Sequence, residues 1–224
     1  MRWILGRGRK HSNGGASKSG GDVLIVRTVE FLFDVGGPNS YLAHKVLPQF
    51  CAEHRAEVIY SPILLGGVFK ATGNRAPMIR YADAPAKLAY EQLEFARFVE
   101  THAIPFQMNP HFPVNSLLVM RTLIGAQQAQ CFMPALEAMM NGMWEQSLDL
   151  AQPEIVAAAL DAAGLNGRAL LALADDAKVK AKLVANTEAA VARGAFGVPT
   201  FFVGDEMFFG KERLGQVAGA LAKG

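Results

Sequence analysis

The chain has 224 residues, 51% of them apolar and 19% charged, the proportions of one packed globular domain or of one domain carrying a large insertion. No run approaches the roughly 18–20 uninterrupted apolar residues of a membrane span, so the protein is expected in solution without a membrane partner. The formal charge of +2 is carried by residues 1–28, which hold six cations against one anion; residues 29–224 have sixteen cations and nineteen anions, and the basic balance is no sign of a nucleic-acid partner.

Residues 1–27 lack the apolar core and small-residue cleavage site of a secretory signal, and their SNGGASKSGG run resembles a flexible linker. They are read as a disordered N-terminal extension, with a transit peptide as the alternative. Val26–Phe33 is β-branched and aromatic, which predicts a strand ending at Asp34. The turn VGGPNS follows. Ser40–His54 spaces Leu42, Val46, Leu47 and Phe50 as one helical face, with Pro48 expected to kink or interrupt it. Glu57–Ser61 reads as a second strand.

From residue 66 to residue 164 the signals are helical, punctuated by prolines, and predict an inserted helical subdomain. Leu88–Val99, Asn115–Gln128 and the Met-rich Cys131–Leu148 are its clearest helices. The methionines are read as core filling, because no His or Cys accompanies them at ligand spacing. Helices are then expected over Pro153–Ala163, Asn166–Ala174 and Asp176–Arg193. A hairpin follows, with Thr200–Val203 and Met207–Phe209 flanking Gly204–Asp205–Glu206, and Lys211–Ala222 closes as a helix. Residues 28–65 and 165–224 together form a thioredoxin-like α/β layout around the insertion.

Cys51 and Cys131 are far apart and neither sits in a CxxC pair, so both are read as buried small hydrophobes. His44, His54, His102 and His111 show no metal-ligand spacing, and no metal site is expected; His44 reads as a surface or satisfied core position. The paired glycines at 36–37 and 66–67 fit no phosphate-loop pattern.

Three ordered stretches carry a resemblance: FLFDVGGPNSYLA (31–43), SPILLGGVFKATGN (61–74) and GAFGVPTFFVGDEMFFGKERL (194–214). Together they resemble the 2-hydroxychromene-2-carboxylate isomerases and the related kappa-class glutathione transferases, within the DsbA-like group. The resemblance implies a thioredoxin-like fold with a helical insertion, glutathione as cofactor, a small aromatic carboxylate as substrate, a homodimer and a cytoplasmic location. Where DsbA-like oxidoreductases place CxxC, this chain has Gly37–Pro38–Asn39–Ser40, which excludes dithiol exchange at that point.

The thiolate would then come from bound glutathione, adding to the conjugated carbon of an aromatic pyruvate and leaving after rotation. In sequences of this type the first of the four positions is a serine that donates to the sulfur, and Gly37 has no hydroxyl. Three accounts stand open: backbone N–H groups at the helix start hold the thiolate, Ser40 turns its hydroxyl toward it, or the site is catalytically weak and only binds. A kappa-type transferase is the alternative activity.

The resemblance further implies that Val198, before a cis-proline, pairs with the cysteinyl backbone. Phe209, Gly210, Lys211 and Glu212 would hold the γ-glutamyl end, although Lys211 and Glu212 also read as solvated first-turn charges. Lys70 would face the substrate carboxylate, and Asn74 glutathione or substrate. Phe112 would line the aromatic pocket or simply pack in the core.

Overall fold

The structure is a computed structural model that describes residues 27–223, so the extension expected over residues 1–27 lies, apart from Arg27, outside the described residues. Strands β1 (Arg27–Phe33) and β2 (Ala56–Pro62) are parallel, in register from Arg27 with Ala56 to Phe33 with Pro62, and are joined by helix α1 (Pro38–Glu53). Strands β3 (Thr200–Val203) and β4 (Glu206–Phe209) form an antiparallel hairpin, and β3 lies antiparallel to β1. The sheet order is β2-β1-β3-β4, the mixed thioredoxin-like α/β arrangement.

As a central strand, β1 is buried on both faces, which explains its near-continuous apolar run. Val29, Phe31 and Phe33 join the larger core, where Phe31 stacks on Phe33 at 5.4 Å and on Phe201 at 5.5 Å between ring centroids. Leu32 joins a smaller cluster with Ile63, Val68, Ala190, Ala195 and Phe202.

Between β2 and the hairpin come α2 (Leu65–Thr72), α3 (Pro77–Arg80), α4 (Pro85–Thr101), α5 (Leu117–Gln128), α6 (Phe132–Trp144), α7 (Pro153–Ala162), α8 (Gly167–Ala174) and α9 (Ala177–Ala192). Pro77, Pro85 and Pro153 each open a helix, where a missing N–H costs nothing. Met139, Met140 and Met143 are buried with Trp144, as core filling. One continuous cluster of buried side chains runs from β1 through α5, α6, α7 and α8, so sheet and helical insertion share a core. Among the described residues no helix is long and apolar enough to cross a membrane.

Four expectations are corrected. α1 is not interrupted at Pro48 but runs on to Glu53: the proline faces solvent while Leu47 and Cys51 are buried beside it, and packing outweighs the lost hydrogen bond. Cys51 is buried, its thiol pushed up to about 11 by burial, but Cys131 is only partly covered because it precedes α6 at a helix end. Val203 pairs with Glu206, so the hairpin turn is the two residues Gly204–Asp205, with Gly204 at φ +57°. The closing helix is divided into a tight 3-10 turn (Lys211–Arg213) and α10 (Leu214–Lys223).

Candidate active site

The loop between β1 and α1 is shaped by Asp34, whose side chain is fully buried. One carboxylate oxygen accepts from Gly36 N–H at 2.8 Å; the other accepts from Leu65 N–H at 2.8 Å and from the Ser116 hydroxyl at 2.9 Å. Burial raises the Asp34 pKa above its ordinary value, and these three donors oppose the shift. The backbone closes the turn by donating from Gly37 N–H to Asp34 C=O at 3.0 Å, and Ser40 and Tyr41 N–H donate to Gly37 C=O.

Gly37 has φ −95° and ψ 112°, a conformation open to any residue, so its role is spatial. A Cβ placed there would lie 3.1 Å from Ser40 Oγ, 3.1 Å from Val198 Cγ2 and 3.3 Å from Asp34 O. The Ser40 hydroxyl is buried without a hydrogen-bond partner among the described residues, and so is Asn39 Oδ1.

Val198, across from Gly37, precedes Pro199 in a cis peptide bond, as expected. The Thr200 hydroxyl donates to Gly197 C=O at 2.8 Å and Gly210 N–H donates to Pro199 C=O at 3.0 Å, which ties this loop to the β4 corner. Asn74 Nδ2 donates to Phe196 C=O at 2.8 Å, and the rings of Phe196 and Phe209 lie 4.5 Å apart. Gly37, Ser40, Asn74, Val198, Phe209 and Gly210, remote in sequence, thus meet through one chain of contacts.

Lys211 extends that corner inward. Its side chain is 3% exposed, its Nζ pairs with the half-exposed Glu212 carboxylate, and it lies 5.0 Å from the Phe98 ring centroid and 5.6 Å from that of Phe95 on α4. Lys211 is therefore a buried cation under the insertion and not a solvated first-turn charge. Lys70 stands exposed on the last turn of α2 and makes no ion pair among the described residues. Phe112 is partly buried with its ring 5.7 Å from that of Trp144, whose indole donates to Val35 C=O at 2.8 Å.

Sequence reasoning missed Asp34, which it treated only as the end of a strand, and its partner Ser116. The available signal was a carboxylate directly after the apolar end of a strand, Phe31–Leu32–Phe33, which is buried. It also missed a polar network behind α1: the buried His44 ring meets Tyr60 OH at 3.2 Å and Glu137 Oε1 at 3.0 Å. The hydrogen bond from His44 holds the Glu137 carboxyl below its ordinary value. Both His44 nitrogens are occupied, so it is a satisfied core histidine.

The model of the DSBA-like thioredoxin domain family matches residues 28–222. A 2-hydroxychromene-2-carboxylate isomerase from a Pseudomonas species is 30% identical over 202 residues, covering 89% of this chain and 92% of that protein. Human glutathione S-transferase kappa 1 is 27% identical over 217 residues, covering 89% and 92%. Among solved structures, that of a 2-hydroxychromene-2-carboxylate isomerase superposes with a TM-score of 0.71 at 27% identity, covering 88% of this chain and 95% of that one.

Proposed function

Because the chain belongs to the DSBA-like thioredoxin domain family, and within it to the group of 2-hydroxychromene-2-carboxylate isomerases and kappa-class glutathione transferases, we propose that it is a glutathione-dependent cis–trans isomerase of 2-hydroxychromene-2-carboxylate or a related aromatic pyruvate. The observation that carries this reading is a thioredoxin-type helix start, facing the cis-proline loop, with glycine and serine at the two positions where a redox enzyme needs cysteines. Sulfur chemistry at this point needs a thiol from outside the chain.

The residues fit such a ligand. An unpartnered buried hydroxyl at Ser40 and the positive end of a 16-residue helix favour an anion beside Gly37. The N–H and C=O of Val198 make no hydrogen bond among the described residues and suit the backbone of a bound peptide. Gly210 and Glu212, with Phe209 above them, form the corner proposed for the γ-glutamyl end. Glu212 can receive an ammonium only by sharing it with Lys211. When bound, glutathione supplies a nucleophilic thiolate that converts the substrate's conjugated double bond to a rotatable single bond and departs unchanged. Lys70, exposed on the last turn of α2, offers a cation for the substrate carboxylate.

The test is spectrophotometric conversion of 2-hydroxychromene-2-carboxylate with and without glutathione. Turnover only with glutathione, at constant glutathione concentration, is the expected result. The similarity to kappa-class transferases favours one second reading, conjugation, which consumes glutathione stoichiometrically. Absence of glutathione binding at millimolar concentration removes both. Binding without turnover of any aromatic pyruvate leaves a catalytically weak glutathione-binding protein. Gel filtration tests the proposed homodimer, and fractionation of cells the proposed cytoplasmic location.

A further inference from the structure

The hydrogen-bond donors at the start of α1 can be accounted for one at a time. The N–H groups of Gly36 and Gly37 are bonded to Asp34, and those of Ser40 and Tyr41 to Gly37 C=O. Pro38 has none. Asn39 N–H alone is without a partner among the described residues. The expectation that several backbone N–H groups converge on a ligand sulfur therefore reduces to one.

A second donor lies beside it. The Ser40 side chain is fully buried, its hydroxyl has no partner, and it is aimed at the space that a side chain at position 37 would enter, 3.1 Å from where a Cβ would stand. Buried hydroxyls are almost always bonded in native proteins, so one left free at a helix start implies a partner that arrives with the ligand. Asn39 Oδ1 is unpartnered too, but as an acceptor it repels an anion.

Resting on the glutathione reading above, we infer that Ser40 Oγ, together with Asn39 N–H, is the donor pair that holds the glutathione thiolate. Gly37 is what permits this. With no side chain there, residue 37 places no atom in the space between the Ser40 hydroxyl, which is closed to solvent in the free protein, and Val198. Among the described residues no hydrogen bond fixes the Ser40 rotamer, so turning the hydroxyl toward the ligand forfeits none. The fourth position of the loop thereby takes over the task that the first performs in sequences bearing a serine there.

The test compares wild type with Ser40→Ala, reading the ultraviolet absorbance of bound glutathione thiolate against pH and, by calorimetry, the affinities for glutathione and S-methylglutathione. Because the lost hydroxyl has no partner among the described residues, the variant is expected to fold with an unchanged melting temperature. The bound-thiol pKa should rise by about one to two units in the variant, the loss expected for one hydrogen bond to a charged group. S-Methylglutathione, which has no ionisable thiol, should bind both proteins alike. Asp34, the buried carboxylate of the same loop, is common to both and drops out of the comparison. An equal bound-thiol pKa in the two proteins overturns the inference, as does an equal loss of affinity for both peptides, which marks a packing defect. Failure of wild type to bind either peptide overturns the glutathione reading itself, and this inference with it.

Discussion

Replacing Asp34 with alanine tests whether one carboxylate organises the site. The substitution strips the acceptor from Gly36 N–H, Leu65 N–H and the Ser116 hydroxyl, at 2.8, 2.8 and 2.9 Å. Each orphaned buried donor costs about 1–3 kcal/mol. Relief from burying the carboxylate and partial access of water to the three donors offset part of this, leaving a net loss of about 3 kcal/mol. For a chain of this size that lowers the melting temperature by roughly 6–12 °C. Ser116→Ala removes one donor and should cost only about 1 kcal/mol. Calorimetric or urea unfolding measures both, and an Asp34→Ala loss below about 0.5 kcal/mol would refute the reasoning.

The pH dependence supplies a second readout. Burial holds the folded-state pKa of Asp34 above its unfolded value, so folding favours the protonated form. That contribution to stability is present at low pH and is lost as pH rises through the raised folded value. Relative to Asp34→Asn, which has no proton to exchange, wild type should therefore gain stability as pH falls from neutral toward the ordinary value of 3.8. Other groups, including Glu137, titrate alike in both proteins. A stability gap that does not move with pH contradicts the burial argument.

Gly37→Ser introduces a Cβ 3.1 Å from Ser40 Oγ and from Val198 Cγ2, a close fit that screens the Ser40 hydroxyl from the ligand while the new hydroxyl donates to the thiolate in its place. Stability should stay within about 1 kcal/mol of wild type, and any isomerase rate measured with glutathione should be equal or higher; a rate loss above tenfold counts against the thiolate site. At Gly167 a Cβ would fall 2.3 Å from the backbone oxygen of Ala157, so Gly167→Ala must push α7 and α8 apart. It should cost about 3 kcal/mol in urea unfolding, and a neutral result means that the two helices do not meet there. Asn74→Ala frees the Phe196 carbonyl from its 2.8 Å bond and loosens the cis-proline loop, so glutathione affinity measured by calorimetry should fall several-fold with little change in melting temperature.

The parts of the site that sequence reveals are those set by local chemistry. A glycine-proline turn entering an apolar-faced helix and a Val-Pro-Thr segment at a strand start each specify their own backbone and form where expected, and the Gly-Asp hairpin forms with its turn one residue shorter. Other features depend on contacts between remote segments. Pro48 breaks an isolated helix, but the burial of Leu47 and Cys51 against the sheet carries α1 through it. Lys211 reads as a surface charge until α4 lays Phe95 and Phe98 over it, more than a hundred residues back along the chain. The free state of the Ser40 hydroxyl is equally invisible, since serine at a helix start ordinarily bonds to backbone and only the whole hydrogen-bond pattern shows that this one does not.

The same remote contacts link the two halves of the proposed chemistry. Leu65 opens the first helix after β2, and Ser116 stands at the entry to α5, where the chain returns from the α3–α4 arm. Both are fastened to the carboxylate that also fixes Gly36 in the loop proposed to face the thiol. The arm that carries Phe95 and Phe98 over Lys211 is thus rooted at both ends on Asp34, and its far side rests on the corner proposed for the γ-glutamyl end. A change in the length or angle of that arm acts on the Asp34 loop and on the corner proposed for glutathione together. Substitutions inside the insertion should accordingly shift glutathione affinity and substrate preference as a pair, whereas changes confined to Ser40 or Gly37 should move the acidity of the bound thiol alone.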